Sequence, residues 1–209
     1  MPLGSVAAFV EELRNKRLLR PSQLDELVRF VQPRFSDTTG LAKELVRRGW
    51  LTVYQVNQLF QENGQELVLG PYRLMDFLGK GGVSQVFKAW HTHRHCIVAV
   101  KVIYGDLVSN PEAFGRFQRE LRVVTKLAHP NVVQAIDDNP IGNAHFYAME
   151  FIEGTDLGKL VQYGGPLPLE KACDAVRQTA LGLAHAHELG LVHRDIKPHN
   201  RCASPTARG

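Results

Sequence analysis

The chain has 209 residues, 44% of them hydrophobic and 22% charged, with a formal charge of +4 from 25 basic and 21 acidic side chains. This is the composition of an ordinary globular protein of one medium domain or two small ones, and no run of like charge resembles a nucleic-acid arm or a polybasic anchor. Cys96, Cys173 and Cys202 are far apart and lack zinc-ligand spacing, no run of about 18 apolar residues could span a bilayer, and the first residues turn charged too early for a secretory signal; a reducing, cytoplasmic location is expected.

Residues 1–68 have helical periodicity. Phe9, Leu13, Leu24, Leu27, Val28 and Val31 recur every three to four positions, and Leu41, Leu45, Val56, Leu59 and Phe60 continue the stripe. The segment 13–28 echoes 45–60 at an offset of 32, with four identities in sixteen positions. The echo predicts two helix-turn-helix hairpins, with Pro21 or Thr52 where a helix start favours an N1 proline or a capping hydroxyl. Nine basic and eight acidic residues make this region nearly neutral, which argues against duplex DNA and for a protein-interaction or regulatory module.

After the polar stretch 61–66 the pattern turns extended. Segments 72–79, 84–91, 96–103, 132–137 and 144–150 predict five strands, with helices over 112–127 and 169–189. The second helix carries an apolar face of Ala172, Val176, Ala180 and Leu183.

Three segments carry chemistry. Leu78-Gly79-Lys80-Gly81-Gly82-Val83-Ser84-Gln85-Val86 puts glycines between two strands, where missing side chains let backbone N–H groups approach phosphate oxygens; an ordinary hairpin turn is the alternative. Ile97-Val-Ala-Val-Lys101 places one lysine among apolar strand neighbours, and Glu120, on the flank of the 112–127 helix, could hold that ammonium or be a surface charge. His193-Arg-Asp195-Ile-Lys197-Pro-His-Asn200 sets a carboxylate, an ammonium and an amide at fixed offsets in a loop after a helix, which suits a base, a phosphate clamp and a metal ligand. His91, His93 and His95 alternate in a turn and could face a metal; without a fourth ligand nearby a solvated turn is expected.

In this order the segments resemble the protein kinases, most closely the bacterial, eukaryotic-type serine/threonine kinases. The resemblance implies an α+β fold: the helical bundle at 1–68, then over 72–200 a small lobe of a five-stranded antiparallel sheet plus one helix and an incomplete helical large lobe, and an unrelated tail at 201–209. It implies ATP and Mg²⁺ as cofactors and a protein Ser/Thr hydroxyl as acceptor. Leu78, Gly79, Gly81, Gly82, Ser84 and Val86 would cover the nucleotide and Ala99 would pack on adenine. Lys101, paired with Glu120, would hold the α/β-phosphates. Met149, Glu150 and Ile152 would form the hinge at the adenine edge. Asp195 would orient the substrate hydroxyl, Lys197 would stabilise the transferring phosphoryl, and Asn200 would bind Mg²⁺.

Two departures stand out. Ser84 occupies the usual place of a third loop glycine. After Asn200 the sequence reads Arg-Cys-Ala-Ser-Pro-Thr-Ala-Arg-Gly209, where the family continues with the Asp-Phe-Gly metal site and the rest of the large lobe. An interrupted kinase with impaired turnover is therefore expected, the alternative being a non-catalytic nucleotide-binding or interaction scaffold.

Overall fold

A computed structural model describes residues 5–61, 66–82, 84–104, 112, 115, 124–137, 146–200 and 202–203. The chain divides into two compact units at Val102–Ile103.

The first unit opens with two helical hairpins. Helix α1 (Val6–Asn15) is capped by the Ser5 hydroxyl, and α2 (Pro21–Glu26) begins on the proline and runs into a π turn at Leu27–Val31. Helix α3 (Thr38–Arg47) is capped by Asp37, and α4 (Val53–Phe60) by Thr52. Phe9, Leu13, Leu27, Leu41 and Leu45 are fully buried and form one core with Leu51, Leu59 and Leu67. Two members of the expected stripe depart from it. Val28 is 38% exposed, because the wide π turn keeps Leu27 and Val31 inward and leaves Val28 outside. Phe60 is equally exposed, with one ring face stacked on Phe9 at 5.7 Å.

The sequence echo is an echo of hydrogen bonds. Leu18 N–H donates to Leu13 O and Arg17 N–H to Arg14 O, while 32 residues on Trp50 donates to Leu45 O and Gly49 to Val46 O. Both α1 and α3 thus end in the same left-handed motif, with Arg17 at φ 51° and Gly49 at φ 67°. All four identities have a job. Leu13/Leu45, Leu19/Leu51 and Leu27/Leu59 are buried, and Gln23 and Gln55 each accept, at 2.9 Å, the N–H of the residue that caps their helix, Arg20 or Thr52.

The change from helix to strand occurs inside this unit. A short strand not expected from the sequence, β1 (Val68–Leu69), pairs antiparallel with β2 (Tyr72–Lys80), which pairs with β3 (Ser84–His91), followed by β4 (Cys96–Ile103). Strand β2 slips register between Leu74 and Asp76 and again between Phe77 and Gly79. Tyr72, Leu74, Phe87, Ala89, Val98 and Val100 are buried; on β2 and β3 they alternate with less buried neighbours as pleating requires, whereas on β4 Ala99 between the two valines is buried as well.

The second unit holds the antiparallel pair β5 (Ala135–Asp137) and β6 (Phe146–Glu150), helices α5 (Leu157–Gly164) and α6 (Leu169–Glu188), and a two-residue ladder of β7 (Thr155–Asp156) with β8 (Cys202–Ala203). Helix α6 packs on the segment before β5 through a glycine. A Cβ on Gly182 would lie 3.0 Å from Asn131 O, and the His185 ring stacks on His129 at 5.4 Å. The rest of α6 is largely open, and Val176 is 69% exposed. The helix expected over 112–127 lies largely outside the described residues. Among those described, no helix is long and apolar enough to cross a membrane.

Candidate functional site

The glycine-rich segment is the turn of the β2–β3 hairpin. Gly81 N–H donates to Ser84 O at 2.7 Å and closes it. A Cβ at Gly79 or Gly82 would meet nothing within 4 Å, so the hairpin has open space above its backbone, whereas one at Gly81 would press on Ser84 Oγ at 3.2 Å. Ser84, at the place of the expected third glycine, is buried within the hairpin. Leu78 is exposed and Val86 half-buried.

On β4, Val98 and Val100 are fully buried, and the alternation puts Ala99, buried as well, and the half-buried Lys101 together on the opposite face. That places a lysine ammonium next in the alternation to a small side chain, the arrangement expected for a phosphate and a flat base lying along one face. Glu120 lies outside the described residues.

In the second unit, Met149, Glu150 and Ile152 are half-buried at and just after the end of β6. Glu150 is tied to Gln134 twice: its N–H donates to Gln134 O at 2.9 Å, and its carboxylate accepts the Gln134 N–H at 2.8 Å. Any hydrogen bond from the Glu150 backbone to a ligand edge therefore falls to its carbonyl oxygen.

The segment 191–200 is an exposed loop that ends in a 3₁₀ turn at Pro198–Asn200. Lys197 Nζ lies 2.9 Å from Asp195 Oδ2, which pairs the expected base with the expected clamp. His193 accepts the Asp195 N–H on Nδ1 at 3.3 Å, and Arg194 between them sits at φ 61°. A non-glycine residue in the left-handed region costs about 1 kcal/mol or more and persists only where its surroundings require it.

Sequence reasoning missed what seats this loop. Asp156 Oδ1 caps α5 by accepting the Lys159 N–H at 2.9 Å and lies 3.0 Å from His199 Nδ1, while Oδ2 pairs with Lys159 Nζ at 3.3 Å. The Lys159 N–H above all, then the His199 and Lys159 side chains, hold the Asp156 carboxyl below its usual range. Gly158 completes the seat, because a Cβ there would overlap the His199 ring. With the β7–β8 ladder on its far side, Asn200 is bracketed by two anchors. The sequence signal was the spacing Asp156-Leu157-Gly158, a cap followed two residues on by a glycine in the first helical turn.

The three histidines of the turn do not share one environment. His91 is buried against Tyr72, with ring centroids 4.8 Å apart, while His93 and His95 are exposed. Among the described residues no three His, Cys, Asp or Glu side chains gather as metal ligands.

Residues 72–204 match the family model for the protein kinase domain. Over 131 residues the chain is 39% identical to serine/threonine-protein kinase PknD of Mycobacterium tuberculosis, covering 63% of this chain and 20% of that protein. It is 37% identical over 133 residues to PknH of Mycobacterium bovis, covering 64% and 22%. The chain thus spans about a fifth of the length of these relatives. Among solved structures, the kinase domain of Mycobacterium tuberculosis PknI aligns with a TM-score of 0.58 at 26% identity, over 66% of this chain and 56% of that one.

Proposed function

Because the chain belongs to the protein kinase domain family, we propose that residues 72–200 bind MgATP and serve transfer of its γ-phosphoryl to Ser or Thr hydroxyls of a protein. The observation that carries this reading is the His193–Asn200 loop, where Asp195 and Lys197 stand paired at 2.9 Å on a segment whose end is held by His199 on Asp156 and by the β7–β8 ladder just beyond it.

The roles follow from chemistry. Open backbone at Gly79 and Gly82 gives phosphate oxygens close access to N–H donors, with Gly81 and Ser84 shaping the turn, and Lys101 supplies a point charge to the α/β-phosphates with Glu120 as its partner. Leu78, Val86 and Ala99 offer apolar surface to the base. Past Met149, the Glu150 carbonyl and the Ile152 backbone offer its edge an acceptor and a donor. Asp195 orients the acceptor hydroxyl and takes its proton, and Lys197 neutralises charge on the moving phosphoryl. The nucleotide fits this donor set. Mg²⁺, which would neutralise phosphate charge, fits it only in part, since Asn200 is a single oxygen ligand and a hard cation needs several. Residues 1–209 contain no Asp-Phe-Gly triplet, so transfer by this polypeptide taken alone is expected to be orders of magnitude slower than its binding competence would permit.

The reading is tested by titrating the chain with a fluorescent ATP analogue in Mg²⁺. Saturable binding displaced by ATP is expected, and binding that ATP does not displace would sink it. A nucleotide-dependent scaffold would bind equally well but transfer no label even at high enzyme concentration, whereas slow transfer lost in Asp195→Asn is expected of a kinase.

A further inference from the structure

The two hairpins are copies of one design, and comparing them isolates what the second has acquired. In the first, residue Arg20 precedes α2 and makes no side-chain cap, and Gln23 accepts the Arg20 N–H at 2.9 Å from a half-buried position. In the second, Thr52 and Gln55 make a complete reciprocal box: the Thr52 hydroxyl accepts the Gln55 N–H at 3.1 Å, and Gln55 Oε1 accepts the Thr52 N–H at 2.9 Å. Both side chains then reach out of the module. Thr52 Oγ1 donates to Met75 O at 2.5 Å, and Gln55, only 5% exposed, donates from Nε2 to Leu74 O at 2.7 Å.

The two carbonyls they hold lie where β2 needs a partner. Strand β1 pairs with Tyr72 and Arg73, and Leu74 N–H still reaches back to Leu67 O at 2.8 Å. Beyond that point Leu74 borders the first register slip of β2 and Met75 lies within it, two backbone acceptors at a bulge on a strand edge. Four residues further along the same strand is Gly79, the first glycine of the hairpin turn. Beside the clamp, the Tyr54 ring packs on Phe87 of β3 at 6.2 Å, and Phe87 in turn meets Phe77 edge-on at 5.6 Å. Contacts from one helix turn thus reach both strands of the hairpin.

Building on the nucleotide reading above, we propose that α4 is a positioning element for the glycine-rich hairpin, with Thr52 and Gln55 as positioning residues that set the bulge of β2 and through it the height and angle of the Gly79–Ser84 turn. The helical module on this account belongs to the nucleotide site's scaffold, and whatever displaces α4 loosens the phosphate cover.

The test is amide hydrogen exchange of the whole chain in the absence of nucleotide, comparing wild type with Thr52→Val, the double variant Thr52→Val/Gln55→Met, the conservative Thr52→Ser, and Gln23→Met as the matching change in the first copy. Exchange at residues 76–86 at least fivefold faster in Thr52→Val, larger in the double variant, restored in Thr52→Ser and absent in Gln23→Met is expected. A rise shared equally by α1 and α3 would mean general destabilisation and overturn the proposal, as would unchanged exchange at 76–86. If the double variant does not fold, Thr52→Val alone decides. Affinity for MgATP, measured separately, should fall several-fold in the same variants, and a wild-type chain that binds no MgATP would refute the nucleotide reading while leaving the exchange result to judge the clamp.

Discussion

Gly158 and His199 belong to each other. The imidazole occupies the space a Cβ at 158 would need, and from there it reaches the carboxylate that caps α5. Gly158→Ala and His199→Ala should each cost about 1 kcal/mol, the scale of one hydrogen bond, and the double variant should cost no more than the worse single one, because either change removes the same seat. Thermal melts of the four proteins check this; full additivity would show that the two residues act separately. The His193–Asn200 motif was plain in sequence because its chemistry lies in three side chains at fixed offsets. Its anchor was not, since Asp156 lies 43 residues from His199 and only the fold joins them. Separations of 23 and 19 residues likewise hid the partners of Thr52 and Gln55, which read as an ordinary helix start until β2 arrives beside them.

At the scale of elements, the hairpin repeat makes opposite predictions for two turns. Arg17 pays the left-handed steric penalty of roughly 1–2 kcal/mol that Gly49 avoids. Arg17→Gly should therefore stabilise the chain, by less than about 1 kcal/mol after the flexibility of glycine in the unfolded state is subtracted. Gly49→Ala, which meets nothing within 4 Å, should destabilise it by about 1 kcal/mol through φ alone. Chemical denaturation of both variants measures the pair. Helix α3 also carries an acid-sensitive knot. Glu44 accepts from Arg47 at 2.7 Å and from Arg48 at 2.7 Å, and Arg48 continues to Glu26 at 2.9 Å while lying over the Trp50 ring. Those hydrogen bonds from Arg47 and then Arg48 hold the Glu44 carboxyl down to about 2. A depressed acid adds stability above its unfolded value and loses it as pH falls through the folded one, so the contribution should fade between the ordinary glutamate range and about pH 2. The melting temperature of Glu44→Gln should accordingly depend less on pH over that window than that of the wild type. The offset of 32 and the four identities were visible in sequence, and so was the pairing of hairpins. The π turn that exposes Val28 was not, because apolar spacing cannot distinguish a helix that widens by one residue from one that does not.

For the whole molecule, the candidate residues divide between two units: Leu78 to Lys101 in the first, Met149 to Asn200 in the second. The strand segments and the glycine turn followed from alternation and residue type. The assignment of the helical module and the β2–β3 hairpin to a single unit did not, since composition changes sharply at 61–72 and packing does not. That unit's core is its most exacting part. Leu45→Ala, at a side chain with no exposure, should cost 2–5 kcal/mol and, through α4, should raise exchange in the glycine-rich hairpin as well as in the helices. The central claim is that Lys101 and the hairpin hold a nucleotide, and its most direct test is the melting temperature of the whole chain against MgATP concentration, with Lys101→Met alongside. A saturable rise of several degrees in the wild type and none in Lys101→Met is the predicted result. No rise in the wild type, or an equal rise in both proteins, would contradict it.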